Sequence, residues 1–417
     1  MKKFLTTNRW AVIIGAVLME LALGAIYAWS VFTPLLKDEG WSKGDTQWVF
    51  SVGLASFAGF MVIAGFRLKK WGPQTLSIIG GLLLGLGYFL AGWFGGTDFW
   101  ALLILIGLVG GAGIGFAYVV PIAVGMQWYP DKKGMITGMA VAGFGFGALL
   151  WVKMAGAWGN LLESLGLSGT FMLYGGLFAI MVILGGIFMV FPPKGWKPKG
   201  FEVASESANN VASDERNFNP IQMLSTPQFY LIFLTFVFSA GAGLMSIGLM
   251  KLYPMEALQA NGFSETEASA IAGTAMAVFF SLANGLGRIL WGLISDTLGR
   301  KRSIILMTLI QGVVVLSFTY MAGNEYLLYL GATLIGFNFG GNFALFPTIT
   351  AETFGAKMVG QNYPFIFLAY GVGGIFGPLL GGKMGDAGNF PMAFTILGVA
   401  VLLGTVLIYL VKPAKQS

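Results

Sequence analysis

The sequence predicts an all-α, multi-pass membrane protein with twelve transmembrane helices in two six-helix halves and both termini in the cytoplasm. Three observations carry that expectation. The 417-residue chain is 56% hydrophobic and only 10% charged, with a mean hydropathy of +0.77. A soluble domain carries about 25% charged residues, so lipid must solvate most of this chain. Apolar stretches of about 20 residues, the length that crosses a bilayer, recur from end to end. Between them, the basic residues collect in alternate connecting segments, on one side.

The helices are expected at about 10–36, 45–66, 74–95, 98–128, 134–158, 168–191, 227–253, 264–294, 302–322, 325–352, 359–384 and 390–411. The start MKKFLTTNRW leads into an apolar stretch, Ala11 to Leu36, too long for a signal-peptide core and without a cleavage site, so it reads as the first span. With the N-terminus inside, 18 of the 24 Lys and Arg residues lie in cytoplasmic segments, among them Arg67, Lys69, Lys70, Arg300, Lys301 and Arg302. The other side holds Lys37, Lys43, Lys153, Lys251 and Lys383, leaving only Arg288. The positive-inside rule then places both termini in the cytoplasm. This distribution also explains the net charge of +6 without a nucleic-acid partner. The chain has no cysteine and no histidine, which removes disulfides, thiolate nucleophiles, most zinc sites and histidine proton relays. No cofactor or metal is expected.

One long polar segment, Pro192 to Thr226, carries PPKGWKPKG and ESANNVASDERN, the composition of a linker. It divides the chain into residues 1–191, a cytoplasmic linker at 192–226, and residues 227–417. The halves resemble each other in one frame. Gly110, Gly115, Pro121, Gly134, Gly145 and Gly147 lie 226 positions before Gly336, Gly341, Pro347, Gly360, Gly371 and Gly373. GFRLKKWGP (65–73) aligns with GLISDTLGR (292–300) at an offset of 227. Parallel six-helix repeats about a central loop are the layout of the major facilitator fold, which binds substrate near the midplane between halves.

The loop after the eighth helix, with Asp296, Gly299 and Arg300, resembles the signature of that fold. It suits a charge latch that opens and closes as the halves rock, or simple anchoring at the interface. The first half departs from it, because Lys69 stands where the acid should be. Glycine-rich runs such as GGAGIGFAY (110–118) and GFNFGGNF (336–343) let helices approach closely. They lie in apolar helices with no preceding strand, so a nucleotide-binding reading fails.

Arg288 is the most informative residue. Arginine at a helix centre costs on the order of 2.5–3.5 kcal/mol on insertion scales and usually faces a cavity and serves function. It lies about 12 Å below the cytoplasmic end of its helix, too deep for easy snorkelling. Its natural partner is a planar carboxylate held by two parallel N–H···O bonds; the alternative is a structural arginine bonded to a carbonyl or to Glu20. Glu20 is the other charge near mid-depth, about 15 Å into the first helix, either a protonatable counter-ion or a neutral packing acid. Lys153 lies at the outer interface and snorkels. Of the aromatic residues, Tyr27, Tyr118, Phe144, Phe339, Phe343 and Tyr370 sit where an aromatic box could surround one guanidinium, with core packing the alternative for each.

MLSTPQFY (223–230), AIYAWSVF (25–32), WYPDKKG (128–134), NGLGRILWGLISDTLGR (284–300), GGNFALFP (340–347) and QNYPFIF (361–367) together resemble the oxalate:formate antiporter family. That is a bacterial branch of the major facilitator superfamily, related to the monocarboxylate (lactate, pyruvate) transporters. The resemblance covers both halves and implies that Arg288 binds substrate carboxylate. It implies that Tyr27, Tyr118, Phe144, Phe339 and Phe343 occupy the surrounding cage. At Tyr370 the oxalate exchanger carries a lysine, so one cation remains here for one carboxylate. In animal monocarboxylate transporters an aspartate stands four residues before the arginine, where this chain has Asn284.

These residues point to a secondary transporter of short monocarboxylates, L-lactate first, carried with a proton by alternating access, with Glu20 the proton-coupling candidate. The partners implied are a small carboxylate, a proton and the lipid bilayer, for a monomer in the cytoplasmic (inner) membrane. The rival is an anion:anion exchanger of the oxalate:formate type. An exporter of hydrophobic cations would want a buried acid and no buried arginine. An enzyme lacks any nucleophile–base pair or metal-ligand cluster in the sequence.

Overall fold

A computed structural model describes residues 9–129, 133–193, 196, 217–355 and 358–412, and among these every regular element is a helix. Twelve long helices order the chain: α1 (Arg9–Asp38), α2 (Lys43–Trp71), α3 (Pro73–Gly95), α4 (Phe99–Trp128), α5 (Met135–Ala155), α6 (Leu161–Ile187), α7 (Pro227–Leu249), α8 (Glu265–Leu298), α9 (Arg300–Met321), α10 (Glu325–Phe354), α11 (Val359–Asp386) and α12 (Phe390–Leu410). Eleven are both long and apolar enough to cross a membrane. The exception is α10, which has the length but carries Asn338, Asn342, Thr348 and Thr350 among its buried residues. Those side chains turn inward, Thr348 and Thr350 onto carbonyls one turn back, so the helix needs less apolar surface than its neighbours.

Local chemistry sets the boundaries. Ser42 with Asp45 and Ser264 with Glu267 form capping boxes at the starts of α2 and α8, while Thr226, Asn324 and Asn389 cap α7, α10 and α12. The repeat seen in the sequence is also a backbone repeat. Gly72 ends α2 at φ 82, ψ 159, and its counterpart Gly299 ends α8 at φ 89, ψ 149. Both conformations lie in the region open to glycine, and each turns the chain directly into the next helix. The start expected for α6 near residue 168 is seven residues late: the chain is helical from Leu161, and Gly166 at φ 67 kinks it, so the long straight part begins just after the kink.

The polar segment at the midpoint is described only in part, residues 194–195 and 197–216 lying outside the described residues. Its last ten residues are ordered. Asn219 and Gln222 form a capping box for a short helix, Pro220–Leu224. Phe218 donates its N–H to the Phe354 carbonyl at 3.0 Å and accepts from Asn362 Nδ2 at 2.9 Å, which ties this stretch to α10 and α11.

Helices α3 with α6, and α9 with α12, pack as pairs within their own half. The two halves meet along two seams, α2 against α11 and α5 against α8. Glycine repeat mates make both contacts. At Gly145 on α5 an added Cβ would lie 2.6 Å from Gly285 N on α8, and at Gly371 on α11 it would lie 2.7 Å from Ala58 Cβ on α2. Only glycine permits that approach. Regular α-helix gives way in two places beside the centre: α1 tightens to a 3₁₀ helix over Gly24–Val31, and α8 widens to a π-helix over Ala275–Phe280. Such segments often mark hinges and functional sites.

Candidate functional site

Arg288 is fully buried, and among the described residues it is the only buried cation. It is reached from both halves. Its Nε donates to Asn284 Oδ1 at 3.3 Å, one turn earlier on α8, and its Nη1 donates to the Val141 carbonyl of α5 at 3.0 Å. That carbonyl has a second lone pair beyond its own helix bond. The guanidinium carbon sits 3.9 Å from the Phe343 ring centre and 5.1 Å from that of Phe144, within cation–π range of both. Gly138 makes room for this approach, since a Cβ there would lie 2.3 Å from the Arg288 carbonyl oxygen. The second terminal nitrogen, Nη2, is buried without a hydrogen-bond partner. Unsatisfied buried donors cost about 1–3 kcal/mol, more when charged, and a guanidinium offers five N–H groups in a planar fork. The fork is thus half used, with its free edge among aromatic rings.

The aromatic residues expected around the arginine do come together. Tyr27 of α1 packs its ring 4.9 Å from Phe144 and 5.7 Å from Phe339, and its hydroxyl meets that of Tyr370 at 2.9 Å across the two halves. Phe343 lies 5.3 Å from Phe339 and 5.5 Å from Tyr370. Tyr118 packs 5.5 Å from Phe144, and its buried hydroxyl has no hydrogen-bond partner. Every one of these rings is fully buried, so they close-pack around the guanidinium.

Two further members are not evident from the sequence. Phe57 of α2 lies 4.9 Å from Tyr118 and 5.5 Å from Tyr370, and Phe367 of α11 lies 4.8 Å from Tyr370 and 5.4 Å from Tyr118. Phe367 stands three residues before Tyr370, on the same face of the helix, inside the motif QNYPFIF; that spacing is the signal that points to it. Phe57 has none, being one of many apolar residues on its helix.

Glu20 is not joined to the arginine. Both its oxygens are buried without hydrogen-bond partners, and its Cβ lies beside Gly143 of α5. It shares with Arg288 the same stretch of α5, residues 141–143, from the other side. The arginine's bonded partners are instead a carbonyl and Asn284.

Asp296, Gly299 and Arg300, expected as a gating motif, come together at the face that carries Arg9, Arg67 and Lys69, the basic face. Gly299 makes the turn, Arg300 Nη2 donates to Asp296 Oδ1 at 2.5 Å, and Asp296 Oδ2 accepts from the Met135 N–H at 3.3 Å. The acid of the second half therefore rests on the N-terminal end of α5 in the first. The opposite face has a counterpart that the sequence does not announce. Asp386, at the end of α11, accepts the N–H groups of Lys43 at 3.2 Å and Gly44 at 3.1 Å, the first residues of α2. Lys43 Nζ also pairs with Glu256.

Comparison with known proteins agrees with this architecture. The Major Facilitator Superfamily model matches residues 12–279 and again 239–417. An uncharacterized MFS-type transporter (YhjX) of Escherichia coli strain K12 is 30% identical over 379 residues, covering 88% of this chain and 86% of its own. The oxalate:formate antiporter of Oxalobacter formigenes is 28% identical over 414 residues, covering 97% and 92%. Apicoplast pyruvate carrier 1 of Toxoplasma gondii is 25% identical over 370 residues, covering 78% and 66%. With its apolar helices in two interlocked sets, this chain belongs to the major facilitator superfamily: it is a multi-pass membrane transporter and not an enzyme.

Proposed function

We propose that this transporter carries short monocarboxylates, L-lactate first, together with a proton. The observation that carries the reading is the half-satisfied Arg288 fork among close-packed aromatic rings, with no second buried cation among the described residues. One carboxylate can take Nη2 and the Tyr118 hydroxyl, while Phe144, Phe339 and Phe343 cover a short apolar body. Tyr27 and Tyr370 stand at the place where a dicarboxylate would need a second charge. A second carboxylate left there would lie in an apolar site unpaired, which is costly. Similarity to an oxalate:formate antiporter and a pyruvate carrier supports carboxylate chemistry.

In this scheme residues 1–191 rock against 227–417, joined by 192–226, and the site opens to each face in turn. The basic face is cytoplasmic, both termini lie there, and the protein works as a monomer in the cytoplasmic membrane. An anion entering a negative-inside cell works against about 2.3 kcal/mol per 100 mV, and one proton cancels that. Glu20, buried beside the segment of α5 that holds Arg288 and with neither oxygen hydrogen-bonded, is the proposed proton carrier.

A second reading is anion exchange, and Asn284 favours it: no carboxyl group is bonded to the arginine, and the amide that is cannot take up a proton. Labelled L-lactate uptake into proteoliposomes separates the two. Uptake driven above equilibrium by an inward proton gradient, and lost on its collapse, supports symport. Indifference to the gradient, with rapid exchange against internal lactate, supports the antiporter. Absence of any lactate movement in either assay would overturn the substrate assignment.

A further inference from the structure

The two seams between the halves differ on the basic-face side of Arg288. Along α5–α8 the backbones stay close to the end, from Gly145 against Gly285, through Gly138 against the Arg288 carbonyl, to Asp296 on the Met135 N–H. Along α2–α11 they also touch as far as the first turn of α11, but a cavity lies beside that contact. Gly65 makes the last tight contact, where a Cβ would lie 2.7 Å from the Gly360 carbonyl oxygen and 2.9 Å from Pro364 Cγ. The cavity beside it, of about 120 Å³, is lined among others by Lys69, Ala123, Gln127, Gly360 and Gln361. Lys69 is the residue that stands where the first-half copy of the loop motif should have its acid, so this seam has a cation at its mouth in place of an Asp latch.

Between cavity and site lies Tyr363, fully buried, its hydroxyl without a hydrogen-bond partner. Tyr363, Phe367 and Tyr370 share one face of α11, and seven residues place Tyr363 about 10 Å from Tyr370 toward the basic face. Its ring packs 5.6 Å from Phe367, the same ring that Tyr118 touches at 5.4 Å from the other side. The constriction above the cavity is also deformable. Pro364 has no N–H for the Gly360 carbonyl one turn back, and a proline in a helix is where a bend forms.

We infer that substrate moves between Arg288 and the basic face along the α2–α11 seam, with Lys69 at the mouth and Tyr363 an intermediate donor to the carboxylate. The α5–α8 seam offers no such path, and its Asp296–Met135 contact only has to loosen as the halves tilt. Bending of α11 at Pro364 against Gly65 then joins cavity to site, and the anion passes from the Arg288 fork to the Tyr363 hydroxyl before it meets Lys69. The nature of the anion rests on the proposed function; the route does not.

The cysteine-free chain suits a direct test, since any thiol introduced is unique. Gln361→Cys and Ala123→Cys report the cavity, and Met135→Cys and Ala142→Cys the other seam. Each is treated from the basic face with a membrane-impermeant anionic methanethiosulfonate and with its cationic counterpart. The route predicts faster reaction with the anionic reagent at both cavity positions and loss of that preference on Lys69→Gln. It also predicts a block of transport by labelling there, and L-lactate flux slowed about tenfold by Tyr363→Phe. Cavity labelling that leaves flux intact while labelling at Met135→Cys or Ala142→Cys abolishes it would overturn the proposal, as would wild-type flux in Tyr363→Phe. A wild-type protein that moves no lactate would sink the substrate assignment alone. The reagent preference, which needs no substrate, would still decide the route, and equal rates for the two reagents would reject it.

Discussion

The two ends of the molecule are closed by one device used twice. At the basic face Asp296 of α8 accepts an N–H in the first turn of α5, that of Met135, and at the opposite face Asp386 of α11 accepts the first two N–H groups of α2. In both, a carboxylate of the second half sits on the positive end of a helix in the first, where backbone donors are free and the helix dipole favours negative charge. The ends differ in their company. Asp296 is held by Arg300 on its own half, which keeps the acid in place whether or not α5 is near. Asp386 engages both backbone donors, and the neighbouring ion pair, Lys43 with Glu256, itself spans the halves. In the proposed cycle the basic-face latch is prepared before it closes, whereas the opposite latch is assembled by closure. With both contacts made, Arg288 and the rings around it are buried from either face.

That comparison can be broken in graded ways. The largest effect is expected at the centre, where both latches are irrelevant. Arg288→Ala removes the cation and lowers carboxylate flux by a factor of about 100 or more, since hydrogen bonds to charged groups are worth about 1.5–3 kcal/mol each. Arg288→Lys recovers little, because a point charge cannot replace a planar fork. Flux at equal expression measures both, and near-normal flux in either would remove Arg288 from the site.

Asp386→Asn is expected next, shifting the protein toward opening at the opposite face by about tenfold in population through loss of the charge that two helix-terminal amides share. Asp296→Asn should shift it toward opening at the basic face by a smaller factor, about threefold, because a single longer bond crosses the halves there. Impermeant-reagent accessibility of single cysteines on each face reads both variants. Shifts of the same sign would show that the two latches are not alternatives in one cycle.

The smallest effect is assigned to the ion pair. Glu256 is 44% exposed, and such pairs contribute about 0–1 kcal/mol. Glu256→Gln should change flux less than twofold, and that difference should vanish in high salt. A large effect would mean that the pair, rather than Asp386, carries the closure.

Much of this is legible in the amino-acid sequence. A guanidinium in an apolar helix has few ways to be tolerated, so Arg288 stands out on cost alone. The aromatic residues at 27, 118, 144, 339, 343 and 370 follow from their positions and from the resemblance. The repeat frame announces the paired glycine contacts and the matching turns at Gly72 and Gly299. The linker's end is less legible, because a capping box and one apolar anchor, Phe218, convert a polar stretch into an ordered helix.

Features set residue by residue are readable along the chain: which stretches lipid must solvate, where basic charge accumulates, and which charge is too deep to reach water. Pairings between distant positions come into being only when the helices assemble. The Tyr27–Tyr370 hydroxyl contact joins residues 343 apart, and the Arg288 bond to Val141 joins residues 147 apart. Phe57 joins the aromatic rings only because α2 lies against α11, and Asp386 becomes a latch only because the start of α2 lies beside it. Such contacts depend on how two helical halves approach each other, and no local pattern of side chains encodes that distance.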